Sequence, residues 1–274
     1  MGDSLAEWLA LRERVDAAAR SLALTRAIAG ALPRDRVLRI VDLGTGRGSN
    51  VRYLSGHLAL PQRWLLVDQD AVLLAALPQA MAGALDPQCE IETREMNLGT
   101  LDSSIFEGRD LVTASALLDL VSERWLRSLA AHCHAIGAAG LFALTYNGAS
   151  RCSPEEPEDD AVREWMNRHQ RSNDKGFGRA AGPDAVAAAE RCFSELGYRV
   201  QRAPSDWILP PEAGDLQRQL VDGWAEAASE IAPDESPTIR SWRRRRQAHI
   251  EAGCSRIIVC HEDLVVFPRL KSRG

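Results

Sequence analysis

Residues 42–48 are the segment of this chain whose residue types and spacing most clearly predict ligand binding. The segment reads DLGTGRG, follows an apolar run that ends at Val41, and precedes a helical pattern that starts near Ser49. Glycines let the backbone approach a ligand closely, and N–H groups at the start of a helix are free to donate hydrogen bonds. A strand that ends in such a turn and opens onto a helix is typical of a site for a nucleotide-type ligand.

Further along the chain, Asp68 follows the apolar run Trp64–Val67, and another apolar strand pattern occupies residues 110–120. Taken in order, the glycine turn, Asp68 and this later strand segment resemble the motifs of the class I S-adenosylmethionine (SAM) dependent methyltransferases. The resemblance covers residues 36–147 best. It implies a Rossmann-like class I methyltransferase fold, with SAM as cofactor and S-adenosylhomocysteine (SAH) as product.

The resemblance also implies roles for particular residues. In the family, the glycine turn wraps the amino-acid part of SAM and the acid before it orients the methionyl ammonium group. The acid after the second strand accepts hydrogen bonds from both ribose hydroxyls, which one carboxylate can do. A polar residue after the third strand meets the adenine amino group, and here that residue is an asparagine where aspartate is more usual. The implied cofactor-binding residues are Asp42, Gly44, Thr45, Gly46, Gly48, Asp68, Gln69, Asn97, Leu98 and Ser115.

Each of these interpretations has a simpler alternative. The turn could be a dinucleotide fingerprint, but Ser49 stands where that fingerprint requires its third glycine. Asp68 could merely cap the next helix, although Asp70 is better placed for that role. Asn97 could equally be an ordinary turn residue.

The acceptor site is predicted at the carboxyl ends of the fourth and fifth strands. Asp119 is the candidate catalytic residue, as a substrate-orienting carboxylate or a general base, with an exposed helix-start position as the alternative. Tyr146 and Asn147 end the fifth strand, at the edge where open α/β sheets bind ligands. His169 lies in the long segment that follows, which predicts either a lid with acceptor contacts or a solvated loop.

The reaction implied by the resemblance is an in-line displacement of the sulfonium methyl group by a small-molecule acceptor. Such a reaction spreads existing charge, so holding the reactants collinear in a dry site is the main requirement. The Asn-Pro-Pro-aromatic motif of enzymes that methylate amino groups of nucleic acids and proteins is absent. Two alternatives stay open: an RNA or protein acceptor, indicated by the run Arg243–Arg246, and a catalytically silent SAM-binding or scaffold protein.

Strand patterns that alternate with helical patterns must position these residues. They predict an α/β domain with a mostly parallel seven-stranded sheet and helices on both faces. We expect a single domain over residues 1–274, with an N-terminal helical cap (1–35), a SAM-binding core (36–147), a lid-like insertion (148–182) and a C-terminal part of the core (183–274). The last part contains a helical insertion at about 210–253, which we predict packs near the lid and shapes the acceptor pocket.

Composition limits the class of protein. The 274 residues are 45% hydrophobic and carry a net charge of −5, which gives no global attraction to nucleic acid. The sequence has no apolar run of membrane-spanning length and no signal-peptide profile, and its six cysteines form no CxxC pair. We therefore expect a cytoplasmic monomer or homodimer without membrane contact. Cys254, Cys260 and His261 match no zinc spacing, so no metal is expected.

Overall fold

The computed structural model describes residues 2–172, 174 and 176–269. The strands are β1 (Leu38–Leu43), β2 (Gln62–Asp68), β3 (Cys89–Glu95), β4 (Leu111–Ser115), β5 (Ala139–Ser153), β6 (Arg199–Pro204), β7 (Trp207–Leu209) and β8 (Arg256–Phe267). The helices are α1 (Gly2–Ala19), α2 (Leu22–Ala31), α3 (Ser49–Ser55), α4 (Ala71–Met81), α5 (Glu123–Ile136), α6 (Asp159–Ser172), α7 (Ala185–Glu195), α8 (Gly214–Ile231) and α9 (Ser236–Glu251).

Within the described residues, these strands form one sheet in the order β3-β2-β1-β4-β5-β8-β6, and β7 pairs with β8. The five strands β3, β2, β1, β4 and β5, which are neighbours in that order, pair in parallel. Strand β8 runs antiparallel to β5, β6 and β7. The predicted Rossmann-like sheet is confirmed. It has eight strands instead of seven because Trp207–Leu209 forms a short strand beside Ile257–Val259.

The two faces of the sheet are covered by different helices. In β1, Leu38 and Ile40 pack into a cluster with residues of α2, α3 and α4, whereas Val41 and Leu43 pack into a cluster with residues of α5 and α7. Alternate residues of a strand point to opposite faces, so a strand buried on both sides must be apolar at successive positions. This burial explains the continuous apolar runs in the sequence and confirms the prediction of helices on both faces.

Strand β5 continues well beyond the predicted end at Tyr146. Residues Ser150–Ser153 pair with Arg256–Val259 of β8, after register shifts that interrupt the pairing near Leu144 and residue 147. The first six residues of the predicted insertion at 148–182 are therefore sheet, and helix α6 follows them. Helices α6, α8 and α9 pack on this extension of the sheet around a third apolar cluster that includes Trp207, Trp224 and Trp242.

The N-terminal residues, predicted as a helical cap, form the two helices α1 and α2. Ser21 separates them and caps α2, because its hydroxyl accepts a hydrogen bond from the Leu24 N–H group. The Ser21 N–H group donates to Asp263 of β8 at 2.9 Å, which ties the start of α2 to the sheet. None of the helices described is both long and apolar enough to cross a membrane.

Candidate functional site

A cavity of about 360 Å³ lies at the carboxyl ends of β1, β2 and β4. The strand order reverses between β1 and β4, and open α/β sheets bind ligands at such a position. The volume of this cavity falls within the range of small-molecule sites, about 300–1,000 Å³. The cofactor-binding residues predicted from the sequence that line it are Gly44, Thr45, Gly46, Asp68, Gln69, Leu98 and Ser115.

Asp68 is held at this cavity by two backbone donors. Its Oδ2 accepts a hydrogen bond from the Gly46 N–H group at 2.7 Å, and its Oδ1 accepts one from the Asp70 N–H group at 3.1 Å. A carboxylate has about four lone-pair positions, so both oxygens can accept further hydrogen bonds from a ligand. Asp70 caps α4 through the Val72 and Leu73 N–H groups, as its spacing predicted.

The three glycines of the turn have different structural roles. All three have positive φ angles, 66° at Gly44, 53° at Gly46 and 76° at Gly48. A Cβ atom at Gly46 would lie 3.3 Å from the Leu9 side chain of α1, above the cavity. A Cβ atom at Gly48 would lie 1.8 Å from the Met81 side chain, so Gly48 allows α3 to pack against α4 and does not line the cavity.

Asp42 lies beneath the turn, not at the cavity surface. It is 1% exposed, and its Oδ1 accepts a hydrogen bond from the Asn50 amide at 2.7 Å. Asn50 lines the cavity, and its Oδ1 in turn accepts a hydrogen bond from Arg20 at 2.7 Å. The structure therefore places Asn50 between Asp42 and the space where the sequence predicted direct ligand contact. Asp42 positions the Asn50 side chain.

Burial raises the pKa of Asp42 to about 6 from its usual value of 3.8, although the hydrogen bond from Asn50 acts in the opposite direction. The folded chain therefore binds a proton on Asp42 more tightly than the unfolded chain, and this contribution to stability is lost as pH rises from about 4 to 6. We expect the free energy of unfolding of Asp42→Asn to increase relative to that of wild type by up to about 3 kcal/mol over that range, because only wild type loses this contribution. Urea unfolding of both proteins at pH 4 and pH 7 measures this difference, and a constant difference would contradict the expectation.

Asn97 is a turn residue in the structure. Its Oδ1 accepts a hydrogen bond from the Gly99 N–H group at 2.8 Å, and its side chain does not line the main cavity. Asn97 lies in a shallower neighbouring groove together with Gln69 and Met96. The alternative that the sequence left open, a local turn, is thus the arrangement that the structure has.

One end of the cavity is apolar and is closed by the segment after α6. Leu73, Leu98 and Phe177 line this end. The Phe177 and Trp125 rings form an edge-to-face contact with their centres 6.2 Å apart. The Trp125 indole N–H donates to the Leu98 carbonyl at 2.6 Å. Part of the predicted insertion therefore reaches the cavity, through a phenylalanine that the sequence did not mark as a lining residue.

Helix α1 covers the cavity from the other side. Leu5, Leu9, Arg12 and Asp16 line the cavity. The Arg12 guanidinium bonds to the Asp16 carboxylate at 2.9 Å and lies 4.8 Å from the centre of the Trp207 ring. Asp16 also accepts the Trp207 indole N–H at 3.0 Å, and burial raises its pKa. These contacts fix α1 to β7, so the N-terminal helix is part of the site.

A second cavity, also about 360 Å³, adjoins the first. Ala116, at the end of β4, and Leu120 line both cavities together with residues of α1. Asp119 and Tyr146, two of the predicted acceptor-site residues, line the second cavity. The Tyr146 hydroxyl donates to Asn167 of α6 at 3.1 Å, and burial raises its pKa. Tyr146 therefore presents its ring to the cavity.

Two residues beside the second cavity have backbone angles that are uncommon outside glycine. Ala116 has φ of 52° and Leu144 has φ of 53°, and both line this cavity. Each is held by a hydrogen bond from its N–H group, Ala116 to the Ala143 carbonyl and Leu144 to the Asp263 carboxylate, both at 2.9 Å. Backbone strain of this kind concentrates at functional sites, where the surrounding structure maintains it.

Asn147 and His169 lie away from both cavities. Asn147 forms a local turn, since its Oδ1 accepts the Ala149 N–H group at 3.2 Å. His169 lies 2.8 Å from Glu230 of α8, and the next residue, Gln170, lines the second cavity in its place. The register of α6 was the missing information, because neighbouring residues of a helix point about 100° apart.

Among the residues of the second cavity that the sequence did not suggest are His261 of β8 and the indoles of Trp8, Trp207 and Trp224. They come from α1, β7, α8 and β8, which are far apart along the chain. Each lies in an ordinary helix or strand pattern, so no short motif marks it.

The arginine run belongs to the ion pairs that hold α9 in place. Arg243 pairs with Asp222, Arg245 with Glu156 and Glu158, and Arg246 with Asp159. The Arg246 side chain is fully buried. These three arginines are therefore neutralised by acidic side chains of the same chain.

Comparisons with known proteins give likeness in structure only. No protein-family model and no curated protein sequence matches the chain. Similar solved structures include cyclopropane synthase MmaA2 from Mycobacterium tuberculosis, with 11% identity, a TM-score of 0.49, and coverage of 90% of this chain and 83% of that one. The YcgJ protein from Bacillus subtilis has 14% identity, a TM-score of 0.47, and coverage of 90% and 100%. Geranyl diphosphate methyltransferase, solved with SAM, has 11% identity, a TM-score of 0.44, and coverage of 90% and 85%. Likeness at this level does not assign the chain to a family.

Proposed function

We propose that this chain is a SAM-dependent methyltransferase that acts on a small molecule. The observation that carries the proposal is the pair of adjoining cavities, which meet at Ala116, Leu120 and α1. The first cavity combines a glycine turn with an available carboxylate, and the second is lined by largely apolar side chains. A nucleoside cofactor in the first cavity would face an acceptor in the second.

The residues of the first cavity fit SAM. Asp68 has lone pairs available for both ribose hydroxyls, and the positive φ angles of Gly44 and Gly46 leave room for close approach of a ligand. The apolar end at Leu98 and Phe177 suits a planar base. Arg12 would hold the carboxylate of the methionyl group. When bound, SAM supplies a methyl group on a positively charged sulfur.

The protein's part in the reaction would be to position and enclose the reactants. The shared wall at Ala116 and Leu120 sets where the acceptor meets the first cavity. Helix α1 contributes Leu5 and Leu9 to the walls of both cavities. Holding two reactants in line in a dry site lowers the barrier without a charged catalytic group. Asp119 lines the second cavity and would orient the acceptor.

The same features argue against a nucleic-acid acceptor. The second cavity has a volume of only about 360 Å³, and three arginines of the run 243–246 are paired with acidic groups of the protein. A nucleic-acid site requires cations that are available to phosphate groups.

Calorimetric titration tests the cofactor assignment. We expect SAH to bind saturably, with one molecule per chain, and NAD to give no heat of binding under the same conditions. Absence of SAH binding, or binding of NAD in its place, would contradict the proposal. Transfer of radioactive methyl groups from SAM to a small-molecule panel then separates an enzyme from a catalytically silent SAM-binding protein.

A further inference from the structure

Four large aromatic side chains form part of the wall of the second cavity. Trp8, Trp207, Trp224 and the ring of Tyr146 line it, with aliphatic side chains such as Leu144 between them. An engineered cavity of about 150 Å³ is known to hold benzene, so a cavity of about 360 Å³ has room for a compound of two fused rings. Aromatic walls favour a flat ligand, because offset-stacked and edge-to-face ring contacts add to the effect of burial.

Two polar side chains of this wall have incomplete hydrogen bonding among the described residues, Gln170 and His261, and His261 lies among the aromatic rings. The residue is 6% exposed. The centre of its ring lies 5.1 Å from the centre of the Trp207 ring and 6.1 Å from that of the Tyr146 ring. Its Nδ1 is buried and has no hydrogen-bond partner among the described residues. A ligand that donates a hydrogen bond to the imidazole therefore gains affinity.

The backbone around His261 is fixed, which limits the positions of its ring. The His261 N–H group donates to the Asp206 carboxylate at 3.1 Å, and its carbonyl accepts the Ser205 N–H group at 2.9 Å. Tyr146 lies directly opposite His261 in the β5–β8 register. The imidazole therefore has a set position in the wall before a ligand binds.

The imidazole is neutral near pH 7. Burial, together with the positive charge of Arg12, lowers the pKa of His261 to about 3. A neutral imidazole has one nitrogen that accepts a hydrogen bond and one that donates. The wall thus offers an acceptor to any ligand that carries a hydroxyl or amine hydrogen.

The alternative of a cationic ligand in an aromatic cage fits less well. The Arg12 guanidinium already lies 4.8 Å from the centre of the Trp207 ring and lines this cavity. The face of the Trp207 ring is therefore occupied by a cation of the protein and is not available to a cationic ligand, which favours a neutral one.

We propose that the second cavity binds a flat, neutral compound of one or two rings that carries a hydroxyl or amine group, and that His261 accepts the hydrogen bond of this group. This inference rests on the proposed function, because it describes the acceptor of the same reaction. His261 would thus orient the compound within the cavity.

A pair of matched probes tests the inference by binding alone, without turnover. 2-Naphthol carries a hydroxyl donor, whereas 2-methoxynaphthalene has the same rings and no donor. We expect the wild-type protein to bind 2-naphthol about tenfold more tightly, which is about 1.4 kcal/mol and the size of one hydrogen bond. Quenching of tryptophan fluorescence measures both affinities, because three indoles line the cavity.

His261→Phe should bind the two probes equally, and His261→Leu serves as a second variant of similar volume. Both should be at least as stable as wild type to heat, because they remove an unpaired buried polar atom. Trp224→Leu is the control, and it should weaken both probes together while leaving the preference intact. Equal binding of the probes by wild type, failure of both to bind, or a preference that persists in His261→Phe would overturn the inference. The SAH titration separates the two proposals, because SAH binding without the probe preference would contradict only the acceptor assignment.

Discussion

Replacement of Asp68 by asparagine is expected to weaken SAH binding about 100-fold while leaving the fold intact. The carboxylate already accepts hydrogen bonds from Gly46 and Asp70 and has lone pairs left for two ligand hydroxyls. An amide keeps one accepting oxygen, so one ligand bond is lost and the other no longer involves a charge. Charge-assisted hydrogen bonds are worth about 1.5–3 kcal/mol and neutral ones about 0.5–1.5 kcal/mol, which together give a loss of about 2–3 kcal/mol. Isothermal titration calorimetry measures the change.

Asp70→Asn is the matched control for this measurement. Asp70 has the same charge, lies two residues away and also borders the cavity, but its side chain caps α4. Asparagine caps helices about as well as aspartate, so stability should hardly change. We expect SAH affinity to stay within about threefold of wild type, a change of less than about 1 kcal/mol. Equal losses in both variants would show that Asp68 has no specific role and that only local charge matters.

Arg246→Met is expected to lower the free energy of unfolding by about 3–5 kcal/mol, the cost of breaking a buried ion pair by removing one partner. The Arg246 side chain is completely buried, and its Nε donates to Asp159 at 3.0 Å. Asp159 also accepts the Trp242 indole N–H at 2.7 Å. Loss of the guanidinium leaves this partly buried carboxylate without its cation. Urea denaturation followed by circular dichroism gives the difference.

Arg243→Met provides the comparison within the same arginine run. Its pair with Asp222 is exposed, with 47% of the arginine side chain accessible. Surface ion pairs contribute about 0–1 kcal/mol, so this variant should unfold close to wild type. If the two variants were equally stable, the buried pair would not be what holds α9 against the start of α6.

The central sheet and the first cavity could be predicted from the sequence because their signals are local. Strands β1, β2, β4 and the start of β5 carry apolar runs because both faces are covered, whereas the edge strand β3 is mostly polar. The glycine turn and Asp68 mark where β1 and β2 end. The motif did not reveal which members contact a ligand. Gly48 packs against Met81, and Asp42 holds Asn50, since these roles depend on α4 and on the space beneath the turn.

The second cavity could not be predicted because its walls come from separate parts of the chain. Trp8, Trp207 and Trp224 are about 200 residues apart at the extremes, and each lies in an element whose pattern indicates only a buried face. The extension of β5 was missed for a related reason. The positive φ angle at Leu144 and the shift in register break the alternation by which a continuing strand is recognised.

Helix α1 contributes Leu5, Leu9 and Arg12 to the walls of both cavities, and it is fixed to the rest of the protein through Asp16 and Trp207. A displacement of this one helix would therefore change both cavities together. Under the proposed function, the binding and release of the two ligands would be coupled through α1, and movement of this helix would enter the turnover rate beside the chemical step.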